Sequence, residues 1–354
     1  MKKNRVLLPL LFVVLGLASC KKDKEYSEDT KVTTGVYVLS EGLFNNNNTT
    51  LTYYDFTKGT PTTDFYASVN GSGLGDTGND LLIYGGKIYI VMNVSSYLEV
   101  AEKGTAKSLK KISLKTSTNV ARQPRYAVGY KNKVLVSCWD GTVAVIDTAT
   151  LSIEKDITVG ANPEQMAVYD DKLYVANSGG LNPVYDSTIS VVNLSTLTET
   201  QKIKVGLNPN SVVSDNAGNI YVGCTGNYGS VGPKLVKVST ATNAIVKSAD
   251  TAVGKIRYYN GSLYATGGYL GSAHVRVLST TDFSQKSSNF VTDGTTIQLP
   301  YGLNIDPANG DVYVTDAKDY ITSGTVFCFD QTGKKKFSFP VSPGLNPNTV
   351  GFIK

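Results

Sequence analysis

One strand pattern recurs seven times along the 354 residues of this chain. In most copies an apolar residue is followed by Tyr and a second apolar residue, with a turn in front and a polar loop behind. The central residues of the seven copies are Tyr37, Tyr89, Leu135, Tyr174, Tyr221, Tyr264 and Tyr313. Neighbouring copies lie 39 to 52 residues apart, which is the length of a four-stranded propeller blade. The sequence therefore predicts an all-β fold, a seven-bladed β-propeller.

The fourth repeat shows how one blade is built from four strands, which we letter A to D. In order, these strands cover residues 163–168, 173–176, 189–193 and 199–205. Asp170 and Asp171 supply a tight turn between strands A and B, whereas the longer loop 177–187 joins B to C. No segment of the chain carries a sustained helical period. Each repeat is therefore expected to form a sheet without helices.

The two ends of the chain predict how the ring closes. The first strand, residues 35–39, has no strand A before it. Near the other end, residues 346–348 repeat the Asn-Pro-Asn of residues 208–210, which open the fifth blade. We therefore expect the C-terminal strand to join blade one as its innermost strand, so that 35–354 is a single domain without an open seam. Ending the chain after Pro340 should then destabilise the whole ring.

The N-terminus is typical of an exported lipoprotein. Residues 1–19 combine a basic head, a short apolar run and small residues, which is the pattern of a secretory signal peptide. The Leu-Ala-Ser-Cys that ends at Cys20 resembles the lipobox of bacterial lipoproteins, in which the cysteine is acylated and becomes the mature N-terminus. The polar residues 20–34 predict a lipidated flexible tether. An ordinary signal peptide beside an unmodified cysteine is the alternative.

The composition excludes several classes of function. With 34 Lys and Arg against 29 Asp and Glu, the formal charge is +5, which is too small for a surface that binds nucleic acid. The single His of the chain excludes a multi-histidine metal site. Cys138, Cys224 and Cys328 lie in or at the end of apolar strands, so we expect buried thiols and no disulfide.

One face of the predicted propeller concentrates aromatic and amide side chains. Because strands alternate in direction, the B–C loops and the D–A crossovers open on the same face. Each B–C loop carries one aromatic residue, and these residues are Phe44, Tyr97, Trp139, Tyr185, Tyr228, Tyr269 and Tyr320. One further candidate, Asn177, lies in a B–C loop. Four more lie in the crossovers, and they are Arg125, Gln165, Asn210 and Tyr301. We predict that these twelve residues bind a ligand. Packing between blades is the alternative for any one of them.

No catalytic or metal-binding motif accompanies this face. The asparagine run 45–48 lacks carboxylates at ligand spacing, so we interpret it as a flexible or turn-forming loop. His274 has no nucleophile motif beside it. We therefore expect a protein that is not an enzyme and that holds neither a metal nor a catalytic cofactor.

Two stretches of sequence resemble known families. The strand Leu-Tyr-Val-Ala-Asn at 173–177 resembles the YncE-like seven-bladed propellers, over residues 35–354. The segments 40–45 and 51–55 resemble surface propeller lipoproteins of gut Bacteroidetes, which include the cobalamin-binding BtuG type. This resemblance implies that cobalamin (vitamin B12) is bound as cargo on one face and passed to a TonB-dependent, BtuB-like transporter. It also implies a lipid anchor at Cys20 in the outer membrane, facing the cell exterior.

Two other functions stay open at this point. A glycan- or other nutrient-binding accessory lipoprotein of an outer-membrane uptake system would also use aromatic platforms. A propeller enzyme such as a lactonase or a dehydrogenase would need a central cation held by several inward acidic and amide residues. Glu164 is the clearest such residue, and acidic residues near the inner strands are sparse. A corrinoid is broad, nearly neutral and rich in amides, which suits a near-neutral face of rings and amides.

Overall fold

The seven repeats fold into seven four-stranded antiparallel sheets. The computed structural model describes residues 32–268 and 273–354, and Val32–Lys354 is one compact unit. The innermost strands of successive sheets contact one another all the way round, from blade one to blade seven and back. The predicted seven-bladed β-propeller is confirmed.

Each blade runs outward from an inner strand beside the central channel. Blade one contains β1 (Gly35–Ser40), β2 (Thr50–Asp55) and β3 (Thr60–Thr62). Blade two is β4 (Gly78–Tyr84), β5 (Lys87–Met92), β6 (Tyr97–Glu102) and β7 (Ser108–Ser113). Blade three is β8 (Pro124–Tyr130), β9 (Lys133–Cys138), β10 (Thr142–Asp147) and β11 (Ser152–Thr158). Blade four is β12 (Pro163–Tyr169), β13 (Lys172–Asn177), β14 (Thr188–Asn193) and β15 (Thr198–Lys204).

The remaining blades repeat this order. Blade five is β16 (Pro209–Ser214), β17 (Asn219–Cys224), β18 (Lys234–Ser239) and β19 (Ala244–Ala249). Blade six is β20 (Ile256–Tyr259), β21 (Ser262–Ala265), β22 (Arg276–Ser279) and β23 (Gln285–Ser287). Blade seven is β24 (Pro300–Ile305), β25 (Val312–Asp316), β26 (Thr325–Phe329) and β27 (Lys335–Pro340).

The C-terminal strand closes the ring as predicted. β28 (Pro347–Ile353) pairs antiparallel with β1 along its whole length, from Gly35 opposite Ile353 to Ser40 opposite Pro347. It also packs between the inner strands β24 and β4. Blade one is thus completed by the last strand of the chain, and β1 is paired on both of its edges.

The central residue of each repeat explains why the repeat exists. Tyr37, Tyr89, Tyr174, Tyr221 and Tyr313 are at most 1 % exposed. Each central residue belongs to a hydrophobic cluster shared with the next blade, and seven such clusters fill the seven gaps between blades. A buried Tyr brings a large apolar area to this gap, and the Tyr37 hydroxyl donates to the Lys103 carbonyl at 3.0 Å. The repeated residues are therefore those at which each blade packs against the next.

A second set of contacts ties the inner strands together around the channel. In four blades an inner-strand side chain accepts a hydrogen bond from a backbone N–H of the following blade. The pairs are Asp80 with Ala127 (3.0 Å), Gln165 with Val212 (3.0 Å), Ser211 with Ile256 (3.2 Å) and Asn304 with Val350 (3.0 Å). Polar residues beside the channel therefore help to hold the ring.

One helix departs from the expectation of a fold without helices. α1 (Phe65–Asn70) lies between blades one and two, and Tyr66 within it is buried in the cluster that joins them. Six residues are too few to show a helical period, which is why this helix was not predicted. No helix in the described part of the chain is long and apolar enough to cross a bilayer.

The three cysteines of the strands are buried free thiols, as predicted. The signal peptide, Cys20 and most of the tether lie outside the described residues.

Candidate binding site at the mouth of the propeller

One end of the ring brings together the start of strand A, the end of strand B and the start of strand C. In blade four, Pro163 lies opposite Asn177, and Asn177 lies opposite Thr188. The B–C loops therefore surround the same opening as the first residues of the inner strands. We call this end of the ring the mouth.

Bulges displace the residues that open the inner strands. In blades two, three, four, five and seven the register with strand B shifts directly after the first residue of strand A. Arg125, Gln165, Asn210 and Tyr301 lie at or within these bulges, on inner strands and not in the D–A crossovers where the sequence analysis put them. A bulge breaks the strict in–out alternation of a strand and re-aims side chains. This explains how several of these residues can line one opening.

Blades three to six enclose a cavity of about 400 Å³ at the mouth, which we call the mouth cavity. Half of the predicted ligand-binding residues line it, and they are Arg125, Trp139, Gln165, Tyr185, Asn210 and Tyr228. Tyr126, Glu164, Ser211 and Lys255 contribute further polar atoms to its wall. The cavity thus combines three aromatic residues from successive B–C loops with amides, hydroxyls and charged groups.

Trp139 is held at the cavity wall by two charged residues. Its indole Nε1 donates to Glu164 Oε1 at 2.9 Å, and Arg125 donates from Nε to Glu164 Oε2 at 2.9 Å. The Arg125 guanidinium also lies 4.4 Å from the centre of the indole ring, which is cation–π distance. Burial lowers the pKa of Arg125, but Glu164 and Tyr126 outweigh it and the net pKa rises. The indole is therefore fixed in place before any ligand arrives.

The outer edge of the cavity is aromatic and apolar. The rings of Tyr185 and Tyr228 meet edge to face, with centroids 6.0 Å apart. Tyr228 is 48 % exposed, and Leu181 beside them in the cavity wall is 59 % exposed. Contiguous patches of exposed apolar side chains often mark binding surfaces. This rim can therefore cover an apolar part of a ligand.

Tyr301 and Tyr320 lie next to the mouth cavity and not in its wall. Their rings meet edge to face at 5.9 Å, and Lys255, which lines the cavity, has its Nζ 5.4 Å from the centre of the Tyr301 ring. The Tyr301 hydroxyl donates to Glu41 Oε2 at 2.6 Å. Burial and the neighbouring Glu41 raise the pKa of Tyr301. These contacts tie blade seven to blade one.

Two predicted binding residues are part of the wall of the propeller. Asn177 is fully buried, and its side chain bonds to Gly160, Thr188 and Ser190 within the wall, so it is not available to a ligand. Tyr97 opens strand β6, and its hydroxyl donates to the Leu74 carbonyl inside the interface between blades one and two. Both residues therefore have the alternative role, which is packing within and between the blades.

Phe44 is 67 % exposed on its loop and lies away from the mouth cavity. Tyr269 lies outside the described residues.

The asparagine run 45–48 is a turn, and one carboxylate organises it. The two oxygens of Asp76 accept the backbone N–H groups of Asn45 and Asn47, both at 3.2 Å. Both asparagines have positive φ angles, 62° and 56°, which Asn tolerates better than most residues. Asp76 is too far along the sequence for spacing rules to have paired it with this loop.

Sequence reasoning missed a second, smaller cavity inside the channel. This channel cavity has a volume of about 160 Å³ and is lined by Asp80, Tyr126, Gln165, Arg257 and Asn304 among others. Tyr126 and Gln165 line both cavities, so the two adjoin. A charged residue inside an otherwise apolar inner strand, as Asp80 and Arg257 are, was the signal available in the sequence.

The arrangement is chemically suited to holding a ligand in place. Within residues 32–268 and 273–354, no three or more His, Cys, Asp or Glu side chains gather where they could hold a metal ion. Both carboxylate oxygens of Glu164, the acidic residue closest to the mouth cavity, are engaged by Arg125 and Trp139. What remains for a ligand is a rigid set of rings, amides and cationic donors.

Comparison with known proteins supports the fold. A family model described as "Domain of unknown function (DUF5074)" matches residues 34–347. No curated protein matches the sequence. A quinonprotein alcohol dehydrogenase-like protein from Bacteroides thetaiotaomicron is 15% identical over 90% of this chain and 78% of that chain, with a TM-score of 0.62. The designed protein Ika8 is 13% identical over 88% of each chain, with a TM-score of 0.57. Hydrazine synthase of Kuenenia stuttgartiensis is 16% identical over 69% of this chain and 74% of that chain, with a TM-score of 0.55. Such identities show a shared fold alone.

Proposed function

The chain belongs to the DUF5074 family, and from that premise we propose that its mouth captures a large amphipathic nutrient, with cobalamin as the ligand. In this proposal the protein is a surface lipoprotein without enzymatic activity. It is anchored at Cys20 in the outer membrane and passes its cargo to a TonB-dependent, BtuB-like transporter.

One observation carries the proposal: six residues chosen from the sequence as ligand-binding candidates line a single cavity. They come from three successive blades. Had the loop aromatics only filled gaps between blades, they would lie apart and facing the walls, as Tyr97 does. Their convergence supports a binding surface.

The chemistry of the cavity supports a corrinoid. A corrin ring is broad and apolar on its faces, and its rim carries amides. Trp139, Tyr185 and Tyr228 offer apolar area, while Gln165 and Asn210 offer amides. A corrinoid is larger than about 400 Å³, so it would rest across the mouth with one part in the cavity. Because Trp139 is already held by Arg125 and Glu164, little side-chain entropy is lost on docking.

A glycan is the second candidate, supported by the same aromatic rim. The exposed Tyr228 beside Leu181 could stack on the apolar face of a sugar. The two candidates differ in the part of the cavity they need, because a sugar would use the rim without the adjoining channel.

Isothermal titration of the purified chain with cyanocobalamin and with a panel of neutral glycans tests the proposal. We expect tight one-to-one binding of cyanocobalamin and no heat with the glycans. The Val246→Ala variant serves as control, since Val246 is 54 % exposed on the outermost strand of blade five and should bind as the wild type does. Glycan binding with no cobalamin binding would replace the first candidate by the second.

A further inference from the structure

Two cationic side chains at the junction of the cavities have hydrogen-bond donors to spare. Lys255 Nζ donates to the Asn348 carbonyl at 2.9 Å. Arg257 donates from one nitrogen to the carbonyl of its own neighbour Ile256, also at 2.9 Å. Neither side chain forms an ion pair with any carboxylate in the described part of the chain. Both are only partly buried and line the cavities.

Two of the other arginines in the described part of the chain are paired with carboxylates, whereas Arg276 donates to the Thr251 hydroxyl and the Ala252 carbonyl. Arg122 is paired with Asp140 at 2.8 Å and with Asp156 at 2.7 Å, and Arg125 is paired with Glu164. Burying a charge without a partner is costly. The unpaired state of Lys255 and Arg257 therefore needs an explanation, and solvent or a ligand in the channel can supply one.

Three donors lie where the two cavities adjoin. Lys255 directly precedes the inner strand β20 and lines the mouth cavity, whereas Arg257 within β20 lines the channel cavity. The two side chains are close enough for the charge of Arg257 to act on Lys255. Tyr126 lines both cavities, and its hydroxyl bonds to no side chain or backbone group in the described part of the chain. Lysine, arginine and tyrosine together are a donor set that suits phosphate oxygens.

We propose that the junction of the mouth cavity and the channel cavity, between Tyr126, Lys255 and Arg257, binds a phosphodiester monoanion of the captured ligand. Asp80 faces the same channel cavity, and Glu41 acts on Lys255 together with Asp80, so carboxylates already offset much of the charge of the two cations. These carboxylates repel a dianion more strongly than a monoanion, which favours a singly charged ligand. This inference rests on the proposed capture function, since cobalamin carries one phosphodiester in its nucleotide loop.

The ionisation of Lys255 agrees with this assignment. Burial, together with the charge of Arg257, lowers the pKa of Lys255 to about 8. An anion placed between the two cations would raise the pKa of Lys255 again, so binding and protonation would reinforce each other.

The first test uses dimethyl phosphate, a phosphodiester monoanion, and needs no corrinoid. Dimethyl phosphate should raise the melting temperature of the wild type above its value in sodium chloride at the same ionic strength. Arg257→Gln and Lys255→Gln should each lose most of that rise, and two variants keep the test valid if one of them folds poorly. The same response in wild type and in both variants, or none in any of them, would overturn the proposal.

The second test compares cyanocobalamin with cobinamide, which lacks the nucleotide loop and its phosphodiester. The wild type should bind cyanocobalamin at least about tenfold more tightly, and either variant should bind the two corrinoids alike. Equal affinity of the wild type for both corrinoids would contradict the inference while leaving cobalamin capture intact. If neither corrinoid binds but the response to dimethyl phosphate persists in the wild type alone, the capture function fails and the anion site stands.

Discussion

Equivalent positions of the repeat are used differently on the two sides of the mouth. On the cavity side, blades three to five, the loop residues Trp139, Tyr185 and Tyr228 face the mouth cavity. On the closure side, blades seven, one and two, the corresponding side chains are Tyr320, Phe44 and Tyr97, and none of them lines the mouth cavity. Tyr97 reaches the Leu74 carbonyl, and Tyr320 packs on Tyr301, which bonds to Glu41.

The closure side differs from the cavity side in one further respect, because it joins the first and last strands of the chain. Chain ends meet on the closure side, where Asn346 donates to the Gly42 carbonyl at 3.0 Å and Glu41 donates its N–H to the Asn346 carbonyl, also at 3.0 Å. Glu41 and Asn346 are therefore bonded across the seam, whereas the cavity side has no seam to close.

The largest effect should follow from removing the element that defines the closure side. A chain that ends after Pro340 lacks β28, which leaves one edge of β1 unpaired and removes Val350 and Ile353 from two interblade clusters. We expect the chain to lose cooperative unfolding, as followed by circular dichroism against temperature. Deleting Lys354 alone keeps β28 whole and is the matched control. A truncated chain that melts like the control would show that the seam does not hold the ring.

A large effect on ligand affinity should follow from removing aromatic rings on the cavity side. Replacing Trp139 and Tyr228 together by alanine removes two rings from the mouth cavity but leaves every strand pairing in place. We expect cyanocobalamin affinity to fall by about 100-fold or more, because central aromatic residues dominate binding surfaces. The melting temperature should fall by only a few degrees.

Calorimetric titration and a thermal melt of the same sample separate these two quantities. If affinity stays at the wild-type level, the mouth cavity is not the binding site. A collapse of the melting temperature would instead show that these rings hold the fold.

The comparison also shows what could be predicted from the sequence. The ring, its seven blades and its closure followed from the spacing of the central Tyr residues and from the repeated Asn-Pro-Asn, because both report local, periodic packing. Six of the twelve ligand-binding residues predicted from the sequence line the mouth cavity. The roles of Asn177 and Tyr97 could not be predicted, because a loop aromatic or amide has the same local pattern whether it faces a cavity or a wall. Arg257 was missed because its role depends on residues of other blades that meet only in the closed ring.

A smaller effect should appear when pH removes one charge from the junction of the cavities. Lys255, with a pKa of about 8, is charged below that pH and neutral above it, and Arg257, Arg125, Asp80 and Glu41 act on it there. Dimethyl phosphate binding should therefore weaken by up to about tenfold between pH 7 and pH 9.5. In Lys255→Arg, whose side chain stays charged, binding should be nearly constant across this range. If dimethyl phosphate binding to the wild type depends on pH as little as binding to the variant does, Lys255 is not part of the site.

On the closure side, removing a single hydroxyl should lower the stability of the fold and leave the affinity for the ligand unchanged. Tyr301→Phe removes the hydrogen bond to Glu41 but keeps the ring beside Tyr320 and Lys255. We expect the free energy of unfolding to fall by about 1 to 2 kcal/mol, measured by urea denaturation, with cyanocobalamin affinity unchanged. The reverse result, lower affinity at unchanged stability, would move Tyr301 to the cavity side of the comparison.

The smallest effect should come from Phe44, which occupies the loop position equivalent to Trp139 in the blade that closes the ring. At 67 % exposure its ring lies in no interblade cluster and outside the mouth cavity. Phe44→Ala should therefore change the free energy of unfolding by no more than about 0.5 kcal/mol and leave cyanocobalamin affinity within about twofold of the wild type. Trp139→Ala, measured in parallel, supplies the contrast at the same repeat position. A loss of affinity from Phe44→Ala as large as that from Trp139→Ala would mean that the ligand spans the whole mouth, and that the two sides bind together.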